Sequence, residues 1–162
     1  MTKSVIKYRI ANDSDIPSLT ILRAEQWGAG TEENWAKRIS GYLKGDLNPQ
    51  QALASRAIIV ATKDEEIIGF TAGHLTKRFG CDGELQWINV GHQYRGQGIA
   101  SELLQLLANW FVDQKARYIC VNCAPDNTKG QKFYKKHGAE NLNEYWLIWK
   151  DISILLNDIK PD

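Results

Sequence analysis

Eight consecutive residues, Gln93-Tyr94-Arg95-Gly96-Gln97-Gly98-Ile99-Ala100, combine a guanidinium with two closely spaced glycines. Placed between a strand and a helix, such a turn aims several backbone N–H groups at one point beside a positive helix end, which suits a diphosphate. Glycine is needed there because a Cβ would block both positive φ angles and the close approach of phosphate oxygens. The alternative is a tight strand-to-helix connection that binds nothing. A dinucleotide turn requires G-x-G-x-x-G after the first strand of a parallel unit, with an acidic residue about 20 positions on. This chain carries Ser101 at the third glycine's place, and its first half is not a βαβ unit. A P-loop requires Gly-Lys-Ser/Thr, which is absent.

Other reactive side chains lie on either side of this turn. Glu84 starts the strand before it, and His74 falls late in the preceding strand. Tyr134 stands at helical spacing from Gly130 and His137. Cys120-x-x-Cys123 has metal-ligand spacing but falls on a strand, where side chains three apart point to opposite faces, and it lacks a second ligand pair. No metal site is expected.

The elements that must position these groups can be read from hydrophobic period and punctuation. Residues 5–11 alternate and predict a half-buried strand. Asn12, Asp13 and Ser14 cap a helix carrying Ile16, Leu19, Leu22 and Trp27, with Pro17 in its first turn. Gly28 and Gly30 break it, and Thr31 caps a second helix whose Trp35, Ile39, Tyr42 and Leu43 share a face, ended by Gly45. Residues 46–56 show no clear period and predict a loop. Residues 57–61 and 67–75, about the polar turn 63–66, predict an antiparallel hairpin, and residues 84–90 a third strand. Ile99, Leu103, Leu104, Leu107 and Phe111 then mark the clearest helix. Residues 118–123 predict a strand, Asp126 or Asn127 a cap for a short helix ended by Gly138, and residues 145–149 a last strand before a short tail, 151–156.

Composition narrows the function classes. The 162 residues are 43% hydrophobic and 24% charged, with 20 Lys+Arg against 19 Asp+Glu, as expected of one soluble domain spanning the chain. The near-zero balance argues against a general nucleic-acid binder. Charges interrupt every apolar run near the start, and no run reaches the length of a bilayer span, so no membrane partner is expected. Three cysteines are too few and odd in number for a disulfide framework, which favours a reducing, cytoplasmic setting.

Gln93-x-x-Gly96-x-Gly98 followed by Ile99-Ala100 resembles the acetyl-CoA pyrophosphate loop of the GCN5-related N-acetyltransferases. Asn127-x-x-Gly130-x-x-Phe133-Tyr134-Lys135-Lys136-His137-Gly138-Ala139 resembles a second family block, Asn-x-x-Ala-x-x-Phe-Tyr-x-x-x-Gly-Phe. The order of elements fits across nearly the whole chain. The resemblance implies an α/β (α+β) fold: a mixed, mostly antiparallel twisted sheet of about seven strands, with helices on both faces and strands 4 and 5 splayed around acetyl-CoA. Three departures stand out. Ala100 replaces a commoner Gly. Gly130 replaces Ala inside a helix, at a cost of about 1 kcal/mol, which implies that backbone or cofactor passes very close there. His137-Gly138-Ala139 replaces Leu-Gly-Phe, so the helix end must pack differently.

By the same resemblance, the pantetheine arm pairs with the backbone of Ile88, Asn89 and Val90 like an added strand. The diphosphate rests on Arg95, Gly96, Gln97, Gly98, Ile99 and Ala100, with Gln93 opening the motif; Lys129, Lys132 and Lys136 lie within reach of the ribose phosphate unless they are only a solvated face. Asn127 contacts the pantetheine side, Tyr134 faces the thioester sulfur, and the Val90 amide polarises the acetyl carbonyl. The acceptor amine attacks directly. An alkylamine of pKa about 10.4 is free base in only about one molecule in 2,500 at pH 7, so a base is useful. Glu84 is the candidate base, with a solvated strand-end charge as the alternative and His74 as a relay. Tyr134 is the candidate acid, with packing beside Phe133 as the alternative. The resemblance places the acceptor near Trp27, Trp35, Tyr42, Tyr145, Trp146 and Trp149, with Glu25, Glu32 and Glu33 able to attract a cation. A small-molecule or peptide amine, or a lysine, would fit as acceptor, and a homodimer is compatible with this reading. The competing function is a catalytically silent acyl-CoA sensor or docking module.

Overall fold

Alternating side chains on the second strand divide two apolar layers between the faces of one sheet. Ile58 and Val60 join one cluster, Ile59 and Ala61 the other. The computed structural model describes residues 5–28, 30–45 and 51–158. Its seven strands are β1 Ile6–Ile10, β2 Ala52–Lys63, β3 Glu66–Thr76, β4 Gly83–Val90, β5 Ile119–Asn122, β6 Glu140–Asn143 and β7 Trp146–Trp149. They lie in the order β1-β2-β3-β4-β5-β7-β6. Neighbours run antiparallel except β4 and β5, which are parallel.

Helices α1 Ile16–Trp27 and α2 Glu32–Leu43 cover one face, where Leu19, Leu22 and Ile39 meet Val60, Phe70 and Trp87. Helix α3 Ile99–Asp113 covers the other, where Leu103, Leu107 and Phe111 meet Ile68 and Leu85. Each such side chain contributes about 1.5–3 kcal/mol through burial. Helix α3 can sit this close because β4 begins with Gly83, where a Cβ would stand 2.5 Å from Phe111 Cε1. Helix α4 Thr128–Lys136 packs on the same side through Tyr134.

The start of α1 is more elaborate than a simple cap. Asn12 caps a short 3-10 turn, Asp13–Asp15, while the Asp15 carboxylate accepts from the Asn12 amide at 2.8 Å and from Arg9 at 2.7 and 2.9 Å. Thr31, expected to cap α2, instead donates its hydroxyl to the Gly28 carbonyl at 2.8 Å.

Three expectations are revised. Strand β2 begins at Ala52, within the stretch 46–56 expected to be loop, because Ala52 and Arg56 find partners in Thr76 and His74; residues 46–50 lie outside the described residues. Strand β6 has no alternating pattern of its own and is formed by pairing with β7. The tail becomes a 3-10 helix, Ile152–Asp158, with Ile152 and Leu155 buried in the α3 cluster. No described helix is long and apolar enough to cross a membrane.

Candidate functional site

Strands β4 and β5 pair over only three residues, Gly83 with Ile119, Glu84 with Cys120 and Leu85 with Val121. Beyond Leu85 they part, and β4 runs on to Val90 with one edge open. Gly91 donates its amide to Ile68 O of the β3 side at 2.8 Å. Because backbone groups alternate in direction along a strand, the Val90 and Ile88 amides point the other way, into the gap. The Val90 carbonyl already accepts Arg95 Nε from that side at 3.3 Å. A register shift opposite Ala72 and Gly73 marks a bulge at Gln86. The bulge puts Glu84, Trp87 and Asn89 on the α1–α2 face, where strict alternation would have turned Trp87 and Asn89 away from it.

The glycine turn closes the end of this gap. Gly96 and Gly98 have φ of 80° and 81°, and a Cβ at either would meet no protein atom within 4 Å. The amides of Gly96 to Ser101 donate to no acceptor among the described residues, and the first bond of α3 is Glu102 N to Gly98 O. A row of free N–H groups at the start of a 15-residue helix, with open space above two left-handed glycines, fits a diphosphate. Gln93, Arg95, Gln97 and Gly98 are exposed around it, and Ile99 is buried beneath.

Tyr134 lies on α4, packed into the core cluster on the α3 side of the sheet. Its ring is 8% exposed, set edge-on to Trp149 at 5.8 Å and to Phe133 at 5.5 Å. Its hydroxyl makes no hydrogen bond among the described residues. Burial pushes the phenol well above its ordinary range; the Cys123 thiol adds to this and Arg23 opposes it. Arg23 belongs to α1 on the opposite face of the sheet. Helix α4 is held by Asn127, whose Oδ1 accepts the Gly130 amide at 3.0 Å. The close neighbours at Gly130, expected to be backbone or cofactor, are side chains: a Cβ would lie 2.6 Å from Asn127 Nδ2 and 3.0 Å from Cys123 Sγ. The helix end is polar where an apolar contact was the commoner solution. His137 Nε2 pairs with Ser101 Oγ of α3 at 3.0 Å, and the His137 carbonyl accepts Trp149 Nε1 at 3.0 Å.

Glu84 is buried, 3% exposed, so a solvated strand end is not its setting. Its Oε1 accepts Arg78 Nε at 3.0 Å and lies 3.6 Å from His74 Nε2. His74 sits opposite Glu84 in the β3–β4 register, and its Nδ1 meets the Tyr42 hydroxyl at 2.7 Å. Burial holds the Tyr42 phenol far above its usual range, so it keeps its proton, and the direction of its hydrogen bond with Nδ1 follows the His74 tautomer. Tyr42, His74, Glu84 and Arg78 therefore stand in a row that is hydrogen-bonded at both ends but not in the middle, where His74 Nε2 is buried without a hydrogen-bond partner among the described residues. Sequence reasoning named Glu84 and His74 but not Arg78 or the hydroxyl of Tyr42, because only strand register brings them together.

Of the aromatic residues expected near the acceptor, Trp35, Tyr42 and Trp149 are buried, Trp146 is half-buried, and Trp27 and Tyr145 are exposed. The acidic residues expected to draw in a cation have other partners. Glu25 accepts the His92 amide, Glu32 the Gly30 amide, and Glu33 lies 3.8 Å from Lys37. The side chains set on Trp35 and Trp87 are instead two arginines, Arg23 and Arg38, which the sequence did not single out. Lys132, Lys135 and Lys136 line an open groove between α4 and β6. Cys120 neighbours Cys81 rather than Cys123, burial raises all three thiols, and no metal-binding cluster occurs among the described residues.

A family model described as the acetyltransferase (GNAT) family matches residues 21–139. No curated protein matches the chain. Many solved structures share the fold. The PaiA N-acetyltransferase from Thermoplasma acidophilum, in complex with coenzyme A, superposes with a TM-score of 0.72 at 18% identity, over 91% of this chain and 99% of its own. The aminoglycoside N-acetyltransferase AAC(6')-Iy in complex with CoA gives 0.73 at 22% identity, over 88% and 92%. The same enzyme with a bisubstrate analogue, CoA-S-monomethyl-acetylneamine, gives 0.71 at 23% identity, over 86% and 94%.

Proposed function

The chain belongs to the GNAT family of acetyltransferases, and from that membership we propose that it transfers the acetyl group of acetyl-CoA to the primary amine of a small molecule, by direct attack in a ternary complex. The observation that carries this reading is the early parting of β4 from β5, with the free amides of the glycine turn at its end. When bound, acetyl-CoA supplies the activated acyl group and the thiolate leaving group. The amides of Gly96 to Ala100 and the charge of Arg95 hold the diphosphate, and the open edge of β4 pairs with the pantetheine arm. That two solved relatives carry coenzyme A on the same fold supports this use of the turn.

Within this reading the Val90 amide, directed into the gap, donates to the acetyl oxygen as it gains charge. Tyr134 keeps its proton at neutral pH, since burial holds the phenol high, and its unengaged hydroxyl donates to the departing sulfur. Glu84 takes the amine proton through a water at Oε2, while Arg78 holds the carboxylate at Oε1 and His74, 3.6 Å away, stands by as a relay. Asn127, engaged at Oδ1 by its own helix, offers its NH2 to the pantetheine side. The solved aminoglycoside acetyltransferase bound to an acetylneamine analogue supports a small-molecule acceptor. The three unpaired cysteines suit a reducing compartment, and we place the reaction in the cytoplasm.

Thiol release from acetyl-CoA across a panel of amines is the test. Turnover on small primary amines supports the reading. Tight CoA binding, with no turnover on any amine, peptide or protein, would establish the silent sensor in its place.

A further inference from the structure

Arg23 is 7% exposed, and its only hydrogen bond among the described residues runs from Nη1 to Asn89 Oδ1 at 2.8 Å. Its Nε is buried with no partner. The guanidinium carbon lies 4.2 Å from the Trp35 ring centroid and 5.6 Å from that of Trp87. Arg38, more exposed, lies against the same two rings at 4.6 and 5.8 Å. Since both distances share one centroid, the two guanidinium carbons are no further apart than their sum. No carboxylate forms an ion pair with either arginine among the described residues. Stacking on tryptophan compensates part of the desolvation, but two like charges on the same pair of rings, one of them with an orphaned donor, are a costly arrangement unless an anion joins them.

We propose that Arg23 and Arg38, stacked on Trp35 and Trp87, form an oxyanion subsite of the acceptor pocket, so that the preferred acceptor is a primary amine that also bears a carboxylate or a phosphate. The inference rests on the acetyltransferase reading and refines its substrate class. Asn89 fixes the place of the subsite: it stands on the open stretch of β4, one residue before the amide assigned to the acetyl oxygen, and holds Arg23 while donating to Gln26 Oε1 at 2.9 Å. An anion on the guanidinium forks would therefore hang its amine toward the thioester. Burial first and then Arg38 lower Arg23 to about 10 against an opposing effect of Tyr134, a cost to the charged form that a bound anion would offset. A polycationic acceptor would face repulsion here.

The test compares kcat/KM for matched acceptors: alanine, glutamate and tyrosine against their α-carboxamides, and glucosamine 6-phosphate against glucosamine. The two arms separate carboxylate from phosphate. Wild type should prefer the anionic member of at least one pair by roughly 10- to 100-fold, the range of a charge-assisted hydrogen bond. Arg38→Gln should collapse that ratio toward one, mainly by raising KM for the anionic member, whereas a merely structural role would lower both members together. Arg23→Met, checked for folding by its melting curve, should do the same. Equal or better turnover of the neutral members, or a preference untouched by both variants, overturns the subsite while leaving acetyl transfer standing. If no amine turns over, acetyl transfer itself fails, and calorimetry of N-acetylglutamate and N-acetylglucosamine 6-phosphate on the CoA complex decides the subsite. Binding lost in Arg38→Gln supports it, and absent or unaltered binding overturns it.

Discussion

Removing the hydroxyl of Tyr134 gives the sharpest separation of chemistry from packing. The ring sits against Trp149 and Phe133, while its oxygen makes no hydrogen bond among the described residues, so Tyr134→Phe retains both ring contacts. Stability in urea should change by less than about 0.5 kcal/mol. If the hydroxyl donates to the departing thiolate, kcat should fall by about 10- to 100-fold, or about 1.4–2.7 kcal/mol in barrier, with the affinity for acetyl-CoA nearly intact. Alkaline behaviour supplies a second readout. Burial raises the Tyr134 phenol, so the folded state holds this proton more tightly than the unfolded chain. That contribution to stability is complete below the unfolded value near 10 and is lost as pH rises toward the folded one. The wild type should therefore lose stability above about pH 10, and Tyr134→Phe should lose less, with buried Tyr42 accounting for part of the remainder. Rates are to be measured under single-turnover conditions and stability by urea melts from pH 7 to 11. An unchanged single-turnover rate would leave Tyr134 as packing alone, and a stability loss above about 1 kcal/mol at pH 7 would show that the hydroxyl has a structural partner.

Gly98→Val places a branched side chain at a φ of 81°, costing about 1–2 kcal/mol of stability, and fills the space above the free amides. Calorimetry should show CoA affinity falling at least 10-fold while Gly98→Ala, with similar strain, loses less; wild-type affinity in both would remove the phosphate role from this turn. Glu84→Gln keeps an acceptor for Arg78 but abolishes basicity, so kcat/KM should fall chiefly near neutrality and recover at high pH as more amine is unprotonated. A loss equal at every pH would make Glu84 a positioning residue. Asp15, lowered first by its hydrogen bond with Arg9, contributes stability that is present above its unfolded value near 4 and lost as pH falls through the folded one. Acid melts between pH 2 and 6 should show Asp15→Asn destabilised by about 1–3 kcal/mol at pH 6, and with a shallower dependence on acid than the wild type.

Much of this protein is decided within short stretches of chain. The left-handed glycines at 96 and 98, the start of α3 beside them and the Asn127 cap of α4 depend on interactions between residues a few positions apart, so their types and spacing suffice to predict them. The hydrophobic period of α3 is local in the same sense. Tertiary structure decided the rest. The bulge at Gln86 turns Trp87 and Asn89 to the α1–α2 face, and it follows from pairing with β3 rather than from the strand's own alternation. Glu84 could be read as a solvated strand end until register set it opposite His74 and a turn brought Arg78 over it. Strand β6 exists because β7 pairs with it. The two arginines and the tryptophans they stack on come from three separate elements, α1, α2 and β4, and in sequence an arginine on an amphipathic helix is most simply a solvated charge. Which face a charge occupies, and whether a counter-charge accompanies it, depends on long-range packing that short-range spacing does not encode.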